Sequence, residues 1–486
     1  MSQYSFSYNY DSLADAFNAV NRKGKIQKRY LSPKYLTAAQ EYREMRKELN
    51  RILRKKKEER TEAETSMVDQ LRQQIKDNAQ QQKILLHEHL NQVSSRILSS
   101  SFRFNLTSDA SEDPLKPLYT IGATAEEFFA MQVLCRNVKK LFKISMSSRN
   151  EILFQLKMLL REDKSRYYII RTDVCHCFES IPHDKLFKYL EGNNLLDVKS
   201  KSLLRGLIRK EFEVKNLRPL VPAPQTGVPR GCAISSLLSE YYLSKIDEDI
   251  KRTLPGILFL GRYVDDIVLV IHPDIRNEYH KPIKWYIDEL ENIYSQMGLD
   301  IHIPSDGSGK CYTYDSASAA DLDFNLLGYN IHLDNDNKAK LVFSLSQDKL
   351  KRITDRIDKS FTTFDKMVDV AGFDVAAHYL FDALHVLTCN INLYNAKKGI
   401  KVGIFYSNQL LDNKKNLSYL DGQLKRNIGR LSLSLKTSIA DEKRAAIEKN
   451  LKRKLALLSF TKGFNYPHKR YKVKKQRLRT IKSSWV

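Results

Sequence analysis

Hydrophobic and polar positions divide this chain into three zones of different texture. Residues 36–98 contain no glycine or proline and few apolar side chains, which predicts long helix with a narrow buried stripe. In the middle zone, the short apolar runs 167–170 and 267–271 are typical of strands, whereas residues 234–246 repeat their apolar side chains at helical spacing. Strands interleaved with helices predict an α+β fold in which helices cover a sheet. From residue 344 onward the pattern returns to helix.

These zones predict four domains. They are a charged, mostly helical N-terminal extension (1–115), a mixed region (116–343), an all-helical C-terminal domain (344–461) and a basic tail (462–486). The tail has no acidic residue and carries interspersed aromatic side chains, a combination suited to following a nucleic-acid backbone and stacking on its bases. A disordered, solubilising tail is the alternative. The tail residues expected to bind nucleic acid are Lys469, Arg470, Lys472, Lys474 and Lys475.

Composition narrows the class of partner. The 486 residues include 81 Lys and Arg against 57 Asp and Glu, which leaves a net charge of +24. A surplus of this size predicts a polyanionic partner, either nucleic acid or an acidic membrane surface. The six cysteines are scattered without a C-x-x-C pair, so neither a zinc ribbon nor a disulfide framework is expected. No apolar run is long enough to span a membrane and the first residues lack the apolar core of a signal peptide, so we expect a soluble cytoplasmic protein with no membrane partner.

Two adjacent acids, Asp265 and Asp266, lie between two apolar runs that are predicted strands. A tight hairpin would place both carboxylates at its turn while the flanking strands are buried. Because neighbouring carboxylates repel each other and are costly to desolvate, a cation is their natural partner. Oxygen ligands of this kind suit Mg²⁺ or Mn²⁺. An exposed turn without a ligand is the alternative, and the apolar flanks weigh against it.

A third acid, Asp173, ends another apolar run. If its strand lies beside the hairpin, Asp173 and Asp265 can bridge two metal ions about 3.5–4 Å apart, which is the arrangement for in-line nucleotidyl transfer. Between these acids in sequence, Gly227 and Gly231 flank the stiffening Pro229 ahead of a predicted helix. Glycines at such a position let the backbone approach a ligand closely.

In this order and spacing, the three stretches resemble the palm motifs of reverse transcriptases. Asp173 with Phe178 resembles motif A, residues 227–238 resemble motif B, and Tyr-Val-Asp-Asp at 263–266 resembles motif C, in a form closer to group II intron and retron enzymes than to retroviral ones. The resemblance implies a right-hand polymerase with fingers and palm in the mixed region and a thumb-like C-terminal domain. It also implies an RNA-directed DNA polymerase (a nucleotidyltransferase) that extends a primer 3′-hydroxyl with dNTPs on an RNA template, with two Mg²⁺ ions, or Mn²⁺, as cofactors.

The resemblance implies roles for the matched positions. Asp173 and Asp265 would be metal ligands, completed by the Val174 carbonyl and supported by Asp266. Lys310, at a motif D position, would protonate the leaving pyrophosphate, and an exposed loop lysine is the alternative. Phe178 would be the steric gate beneath the sugar, with a core aromatic as the alternative. The nucleotide-binding set is Phe178, Gln225, Gly227, Arg230 and Gly231, and the primer grip (motif E) is Leu327, Gly328 and Tyr329.

The chain departs from motif B at two positions and carries one further resemblance. Arg230 stands where motif B usually has glutamine, and Ser236 stands where it usually has proline, so nucleotide handling there is open. Residues 387–408, with the long N-terminal extension, resemble the unknown-group and abortive-infection class of bacterial defence reverse transcriptases. That class implies DNA synthesis during phage infection in the bacterial cytoplasm, with an associated noncoding RNA, a partner protein or a homo-oligomer. A retron or group II intron-type enzyme, or a non-catalytic RNA-binding scaffold beside an active polymerase, is the alternative.

Overall fold

The computed structural model describes residues 7–22, 26–109, 117–162, 165–192, 196–214, 225–273, 281–334, 341–393, 400–433, 441–473 and 475–485. Its helices are α1 (Tyr10–Arg22), α2 (Pro33–Leu53), α3 (Glu62–Leu98), α4 (Ala125–Leu141), α5 (Arg149–Glu162), α6 (Cys177–Ser180), α7 (His183–Glu191), α8 (Val198–Val214), α9 (Ala233–Thr253), α10 (Ile283–Gln296), α11 (Gln347–Ala371), α12 (Phe373–Thr388), α13 (Lys415–Arg430), α14 (Asp441–Leu455), α15 (Phe460–Asn465) and α16 (Lys475–Ser484). Its strands are β1 (Thr107–Asp109), β2 (Leu118–Thr120), β3 (Tyr168–Asp173), β4 (Ile257–Tyr263), β5 (Asp266–Ile271), β6 (Tyr312–Asp315), β7 (Leu322–Leu326), β8 (Tyr329–Leu333), β9 (Leu341–Leu345), β10 (Asn390–Leu393), β11 (Ile400–Gly403) and β12 (Arg470–Tyr471).

The chain divides into two compact units. The first comprises residues 1–146, 175–250 and 292–300, and the second comprises residues 147–174, 251–291 and 301–486. Both units contain helices and strands, so the prediction of mixed helix and sheet is confirmed. The predicted domain boundaries after residues 115, 343 and 461 stay predictions. No helix in the described part of the chain has the length and apolar character that crossing a bilayer requires.

In the first unit, the predicted long helix over residues 36–98 is two helices, α2 and α3, which pack side by side. Thr61 begins α3 with a capping box, because its hydroxyl accepts from the Glu64 amide while the Glu64 carboxylate accepts from the Thr61 amide. This pair is a local signal for the start of a second helix, and composition alone does not reveal it. The predicted narrow stripe is present as a small cluster of buried residues, Leu49, Ile52, Val68 and Leu71.

The second unit is built on a four-stranded antiparallel sheet with the strand order β4–β5–β3–β6. Helix α5 packs on it, burying Ile152 and Leu156 with Ile169 and Val268 of the sheet. A second antiparallel sheet, β7–β8–β9, shares that core. The predicted strands around residues 167–170 and 267–271 correspond to β3 and β5.

The expectation of an all-helical C-terminal domain is wrong. Strands β10, β11 and β12 form a small sheet among helices α11–α16. The strands have two to four residues each, too short for a period-two pattern to emerge. In addition, β10 pairs in parallel with β12 through Asn390 and Arg470, a contact between distant parts of the chain that leaves no local signal.

The described part of the basic tail is folded, and most of its aromatic side chains pack inside the second unit. Phe464 is buried in the core that α11–α13 share, and Tyr471 donates to Asp382 at 2.8 Å. The Trp485 indole donates to the Ser360 hydroxyl at 2.9 Å. Tyr466, another aromatic residue of the tail, is exposed. Spacing of aromatics among basic residues therefore reflects an amphipathic segment that covers the core.

Candidate active site

The β4–β5 hairpin holds the adjacent acids at its turn. Tyr263 pairs with Asp266, and Val264 and Asp265 form the two-residue connection. Val264 has a φ of 60°, as the first central residue of a type II′ turn has, where glycine normally stands. For a β-branched residue this conformation costs about 1–3 kcal/mol. The turn is therefore kept in a strained shape by the strands around it.

Strand β3 brings the third acid to the same end of the sheet. Asp173 is the register partner of Asp266, and the Val174 amide donates to the Asp265 carbonyl at 3.2 Å. On the other side, the His302 amide donates to the Asp173 carbonyl at 3.1 Å. These backbone hydrogen bonds to Asp265 and His302 fix the position of the Asp173 main chain, from which its side chain extends.

The three carboxylates affect one another electrostatically. Burial raises the pKa of Asp266; Arg171 opposes this, and the charges of Asp265 and Asp173 raise the pKa further. Arg171 donates from Nη2 to Asp266 Oδ1 at 2.7 Å. Sequence reasoning missed Arg171, although strand alternation places it two residues before Asp173 and so on the same face of β3.

The Asp173 carboxylate has one engaged and one unengaged oxygen. Its Oδ2 lies 3.6 Å from Lys310 Nζ. Its Oδ1 is buried and finds no hydrogen-bond partner among the described residues. A buried carboxylate oxygen without a donor is costly unless a cation binds it. The donor set therefore fits a divalent ion, which prefers carboxylate oxygens.

Two of the three acids are placed as candidate ligands for a divalent ion. Among the described residues, no group of three His, Cys, Asp or Glu side chains is arranged to hold one metal ion. Asp266 is turned to Arg171, which leaves Asp173 and Asp265 as the candidate ligands. Val174 follows Asp173 directly, and its amide is already used by the Asp265 carbonyl.

The glycines of the motif B stretch, in the first unit, have packing reasons of their own. Gly227 has a φ of +101°, and a Cβ there would lie 3.1 Å from the Glu179 carbonyl oxygen. Gly231 has a φ of +94°, and its Cβ would lie 2.7 Å from the Tyr119 carbonyl oxygen. Both positions therefore exclude other residues. Gln225 is exposed, and its carbonyl accepts from the His183 amide at 2.9 Å.

Phe178 and Arg230 meet in the first unit. The Phe178 carbonyl accepts from the Val228 amide at 2.7 Å, which joins α6 to the motif B stretch. The Arg230 guanidinium carbon lies 5.9 Å from the Phe178 ring centroid, and its Nη1 lies 3.8 Å from Glu179 Oε1. Phe178 is half-buried, so it differs from a fully enclosed core aromatic.

The β7–β8 turn, which contains the predicted primer grip of Leu327, Gly328 and Tyr329, is surrounded by cations. Arg149 donates from Nε to the Leu327 carbonyl at 2.7 Å, and its guanidinium lies 5.1 Å from the Tyr329 ring centroid. Lys349 Nζ lies 5.3 Å from the same ring. Burial, reinforced by two neighbouring arginines, lowers the pKa of Lys349 to about 7.

The tail residues predicted to bind nucleic acid differ in their exposure. Lys469, Arg470 and Lys472 are exposed, and Arg470 donates from Nη1 to Asn392 Oδ1 at 3.0 Å. Lys474 lies outside the described residues. Lys475 begins α16. Three exposed cations of the predicted set are therefore available to a polyanion.

An antiparallel sheet that gathers acids from a hairpin turn and the adjacent strand is typical of the palm of nucleic-acid polymerases. Residues 117–304 match the family described as reverse transcriptase (RNA-dependent DNA polymerase). The match indicates an RNA-directed DNA polymerase domain, a nucleotidyltransferase, in this stretch. It includes the three acids and the motif B stretch.

Individual relatives are distant. An uncharacterized 91 kDa protein in the cob intron of Schizosaccharomyces pombe is 29% identical over 97 residues, which are 20% of this chain and 12% of that protein. Apo telomerase from Candida tropicalis is 13% identical, with a TM-score of 0.32 over 73% of this chain and 57% of that chain. The BmCPV RNA-dependent RNA polymerase at the elongation state is 7% identical, with a TM-score of 0.28 over 63% of this chain and 28% of that chain. TM-scores below 0.5 do not establish a common fold.

The chain spans a small part of some of these proteins. It covers 12% of the length of the curated relative and 44% of a Candida tropicalis telomerase truncated from its C-terminal domain. What the whole protein polymerises, on which template and with which partners, is therefore a matter for proposal.

Proposed function

We propose that this protein is an RNA-directed DNA polymerase of right-hand architecture that adds dNTPs to a primer 3′-hydroxyl. The observation that carries the proposal is the Asp173 carboxylate, whose buried Oδ1 has no hydrogen-bond partner in the described chain, at the end of the sheet where the β4–β5 turn holds Asp265. Fingers and palm would correspond to residues 116–343 and a thumb-like domain to residues 344–461.

Asp173 and Asp265, with the Val174 carbonyl, would hold two Mg²⁺ ions, or Mn²⁺. When bound, such ions lower the pKa of the primer hydroxyl and neutralise the departing pyrophosphate. Arg171 draws the Asp266 carboxylate toward itself, so that Asp266 contributes charge rather than a ligand. Lys310, whose ammonium already lies against Asp173, would give its proton to the pyrophosphate.

Nucleotide binding is assigned by resemblance to residues of the first unit. Phe178 would lie beneath the sugar and exclude a 2′-hydroxyl, and Arg230 would donate to the incoming nucleotide in place of the usual glutamine. Gln225, Gly227 and Gly231 would shape the backbone there. The half-buried state of Phe178 supports this assignment.

Primer and template would follow basic surfaces. Leu327, Gly328 and Tyr329 would contact the primer, with Arg149 and Lys349 supplying positive charge to its phosphates. The net charge of +24, and exposed tail residues such as Lys469 and Lys472, support an RNA template and a DNA product as partners.

The test is single-nucleotide incorporation by purified protein with Mg²⁺, dNTPs and a primed RNA template, repeated with the RNA that co-purifies. Asp173→Asn and Asp265→Asn should each remove several kcal/mol of transition-state stabilisation, about a thousandfold in rate. Asp69→Asn, an exposed acid on α3, is the matched control and should leave the rate unchanged. Undiminished incorporation by Asp265→Asn would refute the site.

A finer proposal concerns biological context. We infer a role in bacterial antiphage defence, in the cytoplasm, with an associated noncoding RNA and with a partner protein or a second copy. The proposal rests on the resemblance of residues 387–408 to defence enzymes. Ser407 and Asn408 of that range accept hydrogen bonds from Arg149 and Lys349, which flank the β7–β8 turn. Poor extension of an annealed primer on a generic RNA template, together with selective copying of a co-purifying RNA, would support this role. Efficient extension on the generic template would favour a retron or group II intron-type enzyme, and no synthesis with the native RNA would favour a scaffold.

A further inference from the structure

Lys310 is held from two sides within the loop after Ile301. Its Nζ lies 3.6 Å from Asp173 Oδ2 and 3.2 Å from His302 Nε2. The other ring nitrogen, His302 Nδ1, lies 2.7 Å from Asp306 Oδ2. The four side chains therefore form a continuous series, Asp306–His302–Lys310–Asp173, which ends on the candidate metal ligand.

The backbone around this series is also fixed. The Thr172 hydroxyl donates to the His302 carbonyl at 2.6 Å, and Arg171 donates from Nη1 to the Lys310 carbonyl at 2.7 Å. Asp306 Oδ1 accepts from the Ser308 amide at 2.8 Å. Hydrogen bonds from Ser308, and then from His302, lower the pKa of Asp306. Asp306 is therefore a charged acceptor whose position is set by its own loop.

The chemistry of Lys310 and Asp306, the two neighbours of His302, determines which ring nitrogen donates and which accepts. A lysine ammonium has three donors and no acceptor, so His302 Nε2 must accept from Lys310. Nδ1 then carries the ring hydrogen and donates to the Asp306 carboxylate. The imidazole is neutral in this arrangement, and its tautomer is selected by Asp306. Every group in the series has a compatible partner.

We propose that His302, oriented by Asp306, is a positioning residue that holds the Lys310 ammonium against Asp173. This inference rests on the proposed function, in which Asp173 is a metal ligand and Lys310 faces the leaving pyrophosphate. Lys310 occupies Oδ2 and leaves Oδ1 for the cation. The side chain of Lys310 is 53% exposed, so without His302 its long, flexible stem would have little to hold it in one place. His302 makes no contact with substrate in this role.

Two substitutions separate the two hydrogen bonds of the ring. His302→Gln places an amide oxygen near the position of Nε2 and keeps an acceptor for Lys310. His302→Asn places an amide nitrogen near the position of Nδ1 and keeps only the bond to Asp306. His378→Asn, an exposed histidine on α12 whose Nδ1 bonds the Asp374 carbonyl, is the matched control.

The first measurement is single-nucleotide incorporation, with the maximal rate and the dNTP KM determined separately. Residues that orient a catalytic group typically contribute about 10–100-fold, so His302→Asn should lower the maximal rate by about tenfold with KM nearly unchanged. His302→Gln should restore most of that loss. Lys310→Met should show the larger loss, about 100-fold, expected for a general acid. The control should match wild type.

The second measurement needs no catalysis. Mn²⁺ binding to the protein without nucleotide, measured by electron paramagnetic resonance, reports on charge at Asp173. Because an ammonium held on the carboxylate repels a cation, Lys310→Met and His302→Asn should bind Mn²⁺ about three- to tenfold more tightly, and His302→Gln about as wild type does. A variant that merely misfolds would bind Mn²⁺ more weakly.

The outcomes separate the role of His302 from the polymerase activity itself. Two results would overturn the inference and leave the polymerase proposal intact. In the first, His302→Asn binds Mn²⁺ with the same affinity as wild type. In the second, His302→Gln and His302→Asn lose the same amount of rate. Absence of both Mn²⁺ binding and DNA synthesis in wild type would overturn the proposed function, and the inference with it.

Discussion

The second unit contains two hairpins with two-residue turns, β4–β5 around Val264 and Asp265 and β7–β8 around Leu327 and Gly328. In the second turn both residues have positive φ, 49° and 79°, which is the type I′ geometry with glycine in its usual place. In the first turn Val264 alone has positive φ, without a glycine. The two hairpins therefore share a connection length and differ in strain.

They also differ in the charge that surrounds them. The β4–β5 turn presents Asp265 beside Asp266 and Asp173, and cations reach it as partners of those acids. The β7–β8 turn carries no acid and is flanked by Arg149 and Lys349. An acidic turn suits a divalent cation, and a basic turn suits a phosphodiester backbone. One small motif, used twice, therefore presents opposite charges at its two turns.

The largest expected effect on stability comes from removing the charge of Arg171, which contacts the acidic β4–β5 hairpin. Arg171→Met should lower the free energy of unfolding by about 2 kcal/mol at pH 7, because the half-buried Asp266 carboxylate loses its donor. Urea denaturation measures the change, and the double variant with Asp266→Asn should recover most of it.

The loss of stability in Arg171→Met should depend on pH, and the sign of that dependence follows from the pKa of Asp266. The pKa of Asp266 is already raised, and Arg171 is what opposes the rise, so the substitution raises it further. The unfolded chain then releases the proton at lower pH than the folded one, and stability falls as pH rises through the interval between the two pKa values. The part of the difference that comes from the Asp266 charge should therefore disappear as the pH falls toward ~4, where the carboxyl becomes protonated. The part that comes from the lost hydrogen bond between Arg171 and the Lys310 carbonyl should remain. Equal differences at low and neutral pH would contradict the ion-pair explanation.

At the basic hairpin, the next effect concerns primer affinity. Lys349→Met should weaken binding of a primed template about tenfold and reduce the slope of log affinity against log salt by about 0.9, the value for one phosphate contact. Lys351→Met, on the same helix with an exposed side chain, removes the same charge elsewhere and should change the slope less. Equal slopes for both variants would mean that only net charge matters.

Lys349 should also make stability depend on pH near neutrality. Its pKa is lowered to about 7, so above that pH the folded chain has lost a proton that the unfolded chain still binds. Stability should therefore rise with pH from 7 toward 9, by at most about 1.4 kcal/mol per pH unit. Lys349→Met should remove this rise in urea denaturation at stepped pH. A slope that survives the substitution would assign it to another group.

Much of the acidic hairpin could be predicted from sequence, because apolar runs around Asp265 and Asp266 are a local pattern. Asp173 was also predictable, as the last residue of a strand. The series through His302 was not, since it depends on Val174 pairing with Ile301, a bridge between distant residues. The strand pair through Asn390 and Arg470 could not be predicted for the same reason.

The smallest expected effect comes from two substitutions that change backbone strain, one that relieves it in the β4–β5 turn and one that adds it in the β7–β8 turn. Val264→Gly relieves a strained φ but adds freedom to the unfolded chain, so the free energy of unfolding should change by less than about 1 kcal/mol while incorporation slows several-fold, because Asp265 is held less firmly. Gly328→Ala is the counterpart. Its φ is +79° and its Cβ would lie 3.3 Å from Lys349 Cδ, so it should cost about 1 kcal/mol or more. If Val264→Gly destabilised the protein as much as Gly328→Ala does, side-chain packing rather than backbone strain would explain why valine stands beside Asp265.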